Sequence, residues 1–287
     1  MNKTYRKIQL VGNRSFSVSL PKDWILKNNL KKNDVIEIVE KGNELLIAKK
    51  NSNNGEETKK IFIEDLSILT AVLILCYTRG IFKFILKFKS KEDYLSAKPI
   101  VLENLSFLEG YKILEEGNDS ITIIDSYKET NILIRELAKR NCVLLNNMIE
   151  SILLSKTKTK EILEAEIDRI YHLSKRILYL CSTDSSFMKK NQIKDIEEIF
   201  LWRLIFKKFE NIADVLENIN KQTLEKEIND LLENLNEVFV LNKKSNLSKI
   251  SLLKKRSYKN EKIDKIKELV IDVLNNYLLI ELNKNLF

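Results

Sequence analysis

The first fifty residues alternate short apolar runs with turn-forming residues. Residues 7–11, KIQLV, suit a strand, and in residues 15–20 serines alternate with apolar side chains, including Phe16 and Val18, at a period of two. Such alternation predicts a strand with one apolar face and one hydroxyl face. Pro21 follows directly, and its fixed φ and missing N–H suit the first helical position, so we expect a short helix to begin there.

Two further β-rich runs follow this helix. Residues 35–39 and 45–48 are separated by Lys41-Gly42-Asn43, a sequence typical of a hairpin turn. A β-α-β-β unit of about fifty residues encloses little core and usually needs another chain or domain to cover its apolar faces. The polar stretch at residues 51–59 is expected to be a linker.

The rest of the chain divides into two patterns. Residues 60–126 mix helical and strand-like periodicity, which predicts a small α+β module. Residues 127–287 contain no proline or glycine and repeat apolar positions at helical spacing, which predicts an antiparallel helical bundle. The expected fold class is therefore multidomain, α+β and all-α, with a β-rich domain at 1–50. The helices expected after the linker are 62–77, 92–105, 137–152, 163–177, 196–219, 224–241 and 263–282, and the expected strands are 81–88, 111–114 and 120–124. For residues 243–259, which are polar and basic, a kink, a short helix or a loop is expected.

Composition favours a folded chain in a reducing compartment. The 287 residues are 44% hydrophobic and 31% charged, with six Gly and two Pro, which disfavours disorder. The longest apolar run, residues 66–77, is shorter than the roughly 20 residues of a membrane span. The three cysteines are far apart and no secretory signal accompanies them, so we expect buried thiols in a cytoplasmic protein without membrane insertion. They are Cys76, Cys142 and Cys181.

Positive charge is concentrated at the start of the chain. The first fifty residues carry eleven Lys or Arg and five Asp or Glu, which leaves them +6 of the chain's net +8. A small basic module attached to a nearly neutral remainder indicates a polyanion-binding head, with nucleic acid as the first candidate. The alternative interpretation of the charge alone is a solvated surface.

The stretches RKIQLVGNRSFSVSLPKDW and LKKNDVIEIVEKGNELLI resemble the SpoVT/AbrB-like swapped-hairpin domain of transcription factors and antitoxins. The resemblance covers about residues 4–50. It implies that two chains exchange hairpins to form an intertwined homodimer, and that basic residues on the strand-loop face contact double-stranded DNA. Asn33 stands where many members have glycine, and Asn tolerates the left-handed conformation of a turn. The DNA contacts that the resemblance implies are Arg6, Lys7, Arg14 and Lys22, with Lys3 and Lys27 as supporting charges.

Two acidic pairs in the helical part are candidates for a metal site. Glu164 with Asp168 and Glu210 with Asp214 are each spaced i,i+4, which places both carboxylates of a pair on one helix face. Carboxylate oxygens suit hard or borderline cations, so two such pairs on facing helices can hold a divalent or trivalent metal ion. The alternative is that both pairs lie on solvated faces.

The segments EAEIDRIYHLSKRI and KKFENIADVLENI resemble the paired helices of PhoU-type phosphate uptake regulators, whose bundles bind metal ions through E/D-x-x-x-D motifs. The order of head, α+β module and PhoU-like bundle also occurs in a group of prokaryotic, largely archaeal, regulators. The resemblance implies a phosphate-transport or signalling protein as a further partner. It implies as metal ligands Glu164, Asp168, Glu210 and Asp214.

The remaining chemistry of the sequence argues against an enzyme. His172, the single histidine, follows Asp168 by four residues and is either a further ligand or a structural residue. Paired cysteines, a G-x-G-x-x-G motif and a P-loop are all missing from the sequence. We therefore expect a non-enzymatic, dimeric DNA-binding transcription regulator of phosphate uptake. The alternatives are an interaction adaptor that uses the head only to dimerise, and an antitoxin-like binder, which would have a disordered toxin-neutralising tail.

Overall fold

The structure, a computed structural model, describes residues 5–12, 14–41, 44–49, 58–126, 132–219, 226–244, 247–258 and 260–286. The chain divides into two compact units, Met1–Glu57, here called the head, and Thr58–Phe287, here called the second unit. Several predicted features lie outside the described residues: Lys3, the Gly42-Asn43 turn, residues 51–57 of the predicted linker at 51–59, and the predicted boundary between the α+β module and the bundle at 127–131.

The head consists of two hairpins and a short helix. Its elements are β1 (Gln9–Val11), β2 (Ser15–Ser17), α1 (Lys22–Lys27), β3 (Ile36–Lys41) and β4 (Glu44–Lys49). β1 pairs antiparallel with β2, and β3 pairs antiparallel with β4. Pro21 has an extended backbone, with φ −62° and ψ 130°, and caps the helix as its N-cap residue. The helix therefore begins one residue later than predicted, because Pro21 ends the extended segment.

The second unit begins with an α+β fold, here called the sheet module. Its elements are β5 (Lys59–Ile63), α2 (Leu69–Thr78), β6 (Lys83–Phe88), α3 (Lys91–Phe107), β7 (Tyr111–Glu116) and β8 (Ser120–Asp125). The four strands form one sheet in the order β5-β6-β8-β7, in which β5 and β6 are parallel and the other pairs antiparallel. Helices α2 and α3 share a hydrophobic core with one face of this sheet.

The predicted helix at 62–77 is wrong in its first residues. Ile61 and Ile63 lie in β5, where they pair with Leu86 and Phe88 of β6 and contribute to the core. This long-range parallel pairing overrides the helical periodicity that the local sequence suggests. The helix α2 starts only after a 3₁₀ turn at Leu66–Ile68.

The rest of the second unit is helical. Its helices are α4 (Ile134–Leu153), α5 (Thr157–Thr183), α6 (Ser185–Lys190), α7 (Ile196–Glu217), α8 (Lys226–Leu235, continued by a π-helical turn at Asn236–Val240), α9 (Leu247–Lys255) and α10 (Glu261–Leu286). Helix α7 packs against α5 and α10, and α4 packs against α5. The polar, basic interval at 243–259 thus contains the short helix α9. The predicted fold class, with a β-rich start, a middle α+β module and a helical remainder, is confirmed.

A buried ion pair joins the sheet module to the helices. Arg176 of α5 donates a hydrogen bond to the carboxylate of Asp125 at the end of β8, and both side chains are almost fully buried. The guanidinium carbon also lies 5.0 Å from the ring centroid of Tyr77 on α2. Among the described residues, no helix combines the length and the apolar content that a membrane span requires.

Candidate DNA-binding head and acidic helix pair

Five of the six predicted DNA contacts lie in the described part of the head. Arg6 and Lys7 precede β1, Arg14 lies in the turn between β1 and β2, and Lys22 and Lys27 are the first and last residues of α1. All five side chains are exposed, and none of them forms an ion pair with a carboxylate of the described residues. The head therefore presents uncompensated positive charge to solvent.

Left-handed backbone positions shape two turns of the head. Gly12 has a φ of +64° in the turn that contains Arg14, a conformation that glycine adopts without steric cost. Asn33 has a φ of 73°, so it takes the left-handed conformation that the sequence indicated. The carboxylate of Asp34 accepts a 2.7 Å hydrogen bond from the backbone N–H of Lys31, which closes the turn before β3.

The apolar side chains of the head are mostly uncovered. Phe16 is 74% exposed, Leu10 61% and Val35 64%, although each lies in or beside a strand. Within the described part of the head, Leu30 is the one buried hydrophobic residue. Burying a large apolar side chain stabilises a fold by about 1.5–3 kcal/mol. A single head lacks most of this stabilisation, and a second copy with the same apolar faces can provide it.

The comparison with protein families identifies a relative of this region. Residues 9–55 match a family model described as antidote-toxin recognition MazE, bacterial antitoxin. The head is thus similar to MazE/AbrB-like domains, which supports the expected swapped-hairpin domain of a DNA-binding or antitoxin-type dimerising kind. No curated protein and no solved structure matches the chain. Because the matched region ends at residue 55, the resemblance of the helical part to PhoU stays a prediction.

The two predicted acidic pairs come together on α5 and α7. The pKa of Glu164 is raised to about 7, first by burial and then by the carboxylates of Asp168, Glu217 and Asp214. The pKa of Asp168 is raised to about 6, first by burial and then by Glu210 and Asp214. Negative charge is therefore concentrated at this contact between the two helices.

The acidic cluster, Glu164, Asp168, Glu210 and Asp214, has neighbouring charges that the sequence did not indicate. The carboxyl group of Asp168 is the neighbouring charge with the largest effect on the pKa of Glu164. Glu217 was not among the predicted residues, although it follows Asp214 by three positions and so lies on a neighbouring part of the same face. Lys207 pairs with Glu210 one turn away and supplies one compensating charge.

His172 lies in a different environment from the carboxylates. The pKa of His172 is lowered to about 4, first by burial and then by the nearby charge of Lys175. Its Nδ1 atom is buried and finds no hydrogen-bond partner among the residues that the structure describes. Lys175 and Lys207 both approach the ring of Tyr171, with Nζ atoms 5.1 Å and 5.4 Å from its centroid. Lys175 and Lys207 thus lie on α5 and α7, the two helices that carry the acidic cluster.

The chemistry of the acidic cluster suits a proton or a cation. Its donors are carboxylate oxygens, which hard cations prefer. Among the described residues, no group of three or more His, Cys, Asp or Glu side chains is arranged to hold a metal ion. The pKa values of Glu164 and Asp168 are nevertheless raised, first by burial and then by repulsion between carboxylates, and either protonation or a bound cation would relieve that repulsion.

Proposed function

We propose that the protein is a dimeric DNA-binding transcription regulator without enzymatic activity. The observation that carries this proposal is the combination found in the head, where exposed cations lie next to uncovered apolar faces. The similarity of residues 9–55 to MazE/AbrB-like domains supports both parts of it. Two copies bury each other's apolar faces, and the resulting dimer presents two sets of cations to one duplex.

DNA binding by this head would rest mainly on phosphate contacts. Arg6, Lys7 and Arg14 lie before and between the first two strands, and Lys22 and Lys27 lie on the short helix. Each phosphate that a cation neutralises contributes about 0.9 to the slope of log affinity against log salt. The arginines can in addition form bidentate contacts with guanine edges, which is the part of the interaction that would distinguish sequences.

For the helical part we propose a role as a sensor or docking unit in the regulation of phosphate uptake. The resemblance of the α5 and α7 sequences to PhoU-type helices supports this finer assignment. Glu164, Asp168, Glu210 and Asp214 would hold a divalent or trivalent cation, which would neutralise the crowded carboxylates when bound. The raised pKa values on α5 support a site that exchanges protons for a cation.

The DNA-binding proposal is tested with the full chain and a random-sequence duplex at increasing salt. Fluorescence anisotropy should give a tight, salt-dependent affinity. Replacing Arg6, Lys7 and Arg14 by alanine should reduce the salt slope by about five per dimer, because six phosphate contacts are lost. The matched control replaces three exposed lysines of the helices by alanine and should change the slope little; these are Lys158, Lys189 and Lys254. A wild-type chain without salt-dependent affinity for duplex DNA would overturn the proposal.

The metal proposal has a separate test. Elemental analysis of the purified full chain should detect a bound cation, and Glu164→Gln and Asp214→Asn should each lower its amount at least tenfold, the size of effect expected for a lost ligand. Glu103→Gln changes one exposed carboxylate on α3 and should leave the metal content unchanged. Equal metal content in all four proteins would exclude the site.

Two alternatives are separated by the same measurements. An adaptor that uses the head only to dimerise would remain a dimer and show no affinity for DNA. An antidote to a toxin is favoured by the family match at 9–55. The expected disordered tail of such an antidote contrasts with residues 58–287, which form a compact unit with two hydrophobic cores.

A further inference from the structure

The sheet module has one face that its helices leave open. In β6, Phe84, Leu86 and Phe88 belong to the core shared with α2 and α3, so the alternate residues point to the opposite side. We call this opposite side the open sheet face. Its cations are Lys60, Lys83, Lys87 and Lys112, one or two on each of three strands.

Strand register places these lysines in successive rows across the sheet. Lys83 and Lys112 both pair with Ile124 and therefore flank it from the two neighbouring strands. In the next row Lys60 pairs with Ile85. Because neighbouring strands are about 4.8 Å apart, the four strands span about 14 Å. The positive charge is thus spread over three strands rather than concentrated at a single point.

The charge of this face contrasts with that of the module as a whole. Residues 58–126 contain nine Lys or Arg and ten Asp or Glu, a net charge of −1. The open sheet face holds four of those cations and one of those acids, Glu115, which pairs with Thr122. Lys87 forms a 2.6 Å ion pair with Asp119. No carboxylate of the described residues forms an ion pair with Lys60, Lys83 or Lys112.

A second copy of the chain does not suit this face. Two open sheet faces packed together would place lysines opposite lysines in a low-dielectric contact, and such like-charge contacts are destabilising. Of the apolar residues on this face, Ile85 and Ile124 are partly buried, whereas Phe62 on the edge strand β5 is 69% exposed and pairs with Lys87. A polyanion fits better, because each phosphate can approach an unpaired ammonium.

We propose that the open sheet face is a second contact surface for the duplex DNA that the head binds. This inference rests on the proposed function of the head. Nine residues connect β4 to β5, so DNA held by the head is tethered close to the sheet module along the chain. Two binding surfaces joined by so few residues act at effective concentrations of roughly millimolar, at which even weak phosphate contacts are occupied. The second unit then adds affinity and lengthens the DNA segment that one dimer covers.

The test uses the full chain and a random-sequence duplex several helical turns long. The sheet variant carries Lys60→Glu, Lys83→Glu and Lys112→Glu. Its control carries the same charge change at three exposed lysines of the helices, as Lys158→Glu, Lys189→Glu and Lys254→Glu. Relative to that control, the sheet variant should bind DNA at least about tenfold more weakly and lose about five from its salt slope per dimer. A second sheet variant with glutamine at the same positions should keep the wild-type melting temperature and show the same direction of change.

Each other outcome overturns the inference in a recognisable way. If the sheet variants bind like the control, the lysines only solvate the sheet or protect its edges from strand pairing, and the proposed function of the head is unaffected. If they lose affinity only for single-stranded DNA, the ligand of this face is not the duplex held by the head. If the wild-type chain binds no duplex at all, both the inference and the proposed function fail.

Discussion

The head and the second unit differ in how far each buries its apolar side chains within a single chain. In the described part of the head only Leu30 is buried, while Phe16 remains 74% exposed. In the second unit, large side chains such as Phe84 and Trp202 are 2% exposed or less, inside two separate hydrophobic cores. The second unit can therefore hold its fold within one chain, whereas the head would gain its apolar cover from the second copy that we propose. The stability of the head should consequently rise with protein concentration.

The largest expected effect is the loss of the dimer when the apolar face of the head is charged. Phe16→Asp places a carboxylate where a second copy would bury the ring, so we expect a monomeric chain in sedimentation-velocity analysis. The melting temperature of the second unit should not change. Phe200 on α7 is 61% exposed, and Phe200→Asp should leave the dimer intact. A stable dimer in Phe16→Asp would show that the head does not provide the interface.

A core substitution in the second unit should destabilise that unit and leave the dimer intact. The indole of Trp202 contacts the rings of Phe206, Phe239 and Tyr277, with centroids 5.9–6.3 Å away. Trp202→Ala should therefore lower the free energy of unfolding of the second unit by about 3–5 kcal/mol, as measured by urea denaturation. The dimer formed by the head should survive at low urea. Dissociation in parallel with unfolding would instead place the interface in the helices.

The smallest expected effect is a pH dependence of the stability of the second unit. Glu164 and Asp168 have pKa values of about 7 and about 6 in the folded chain, above the ordinary 4.5 and 3.8. The folded state then binds more protons between about pH 4 and pH 7, so their contribution to stability is present below that range and lost as the pH rises. After allowance for solvent screening, we expect a loss of about 1 kcal/mol.

This pH dependence is measured by thermal unfolding in the presence of a chelator. The double variant Glu164→Gln/Asp168→Asn should flatten the decline between pH 4 and pH 7. Glu103→Gln should not, because this carboxylate is exposed and lies in the sheet module. A slope that the double variant leaves unchanged would mean that the acidic cluster does not titrate in this range.

Local sequence patterns predicted an element correctly where neighbouring residues alone determine that element. Serine alternation before Pro21 predicts β2, and helical spacing predicts the long helices α4, α5 and α7. The spacing of Glu164 and Asp168 also places them on one face, as found. The strand β5 was missed because its parallel partner β6 follows only after α2, and no local pattern indicates that pairing.

The features that only the structure reveals all depend on distant residues. Arg176 and Asp125 are 51 positions apart, and nothing near either residue in the sequence indicates a buried pair. The lysines of the open sheet face likewise look scattered along the chain. They become neighbours only because Lys83 and Lys112 pair with the same residue, Ile124, on either side of β8.

The ion pair between Arg176 and Asp125 has a consequence for how the second unit melts. Separating the sheet module from α5 would leave at least one charge buried without its partner, which typically costs about 3–5 kcal/mol. An intermediate with the sheet module detached and the helices intact is therefore disfavoured, although each part has its own core. In calorimetry the second unit should absorb heat in a single peak, with equal van't Hoff and calorimetric enthalpies.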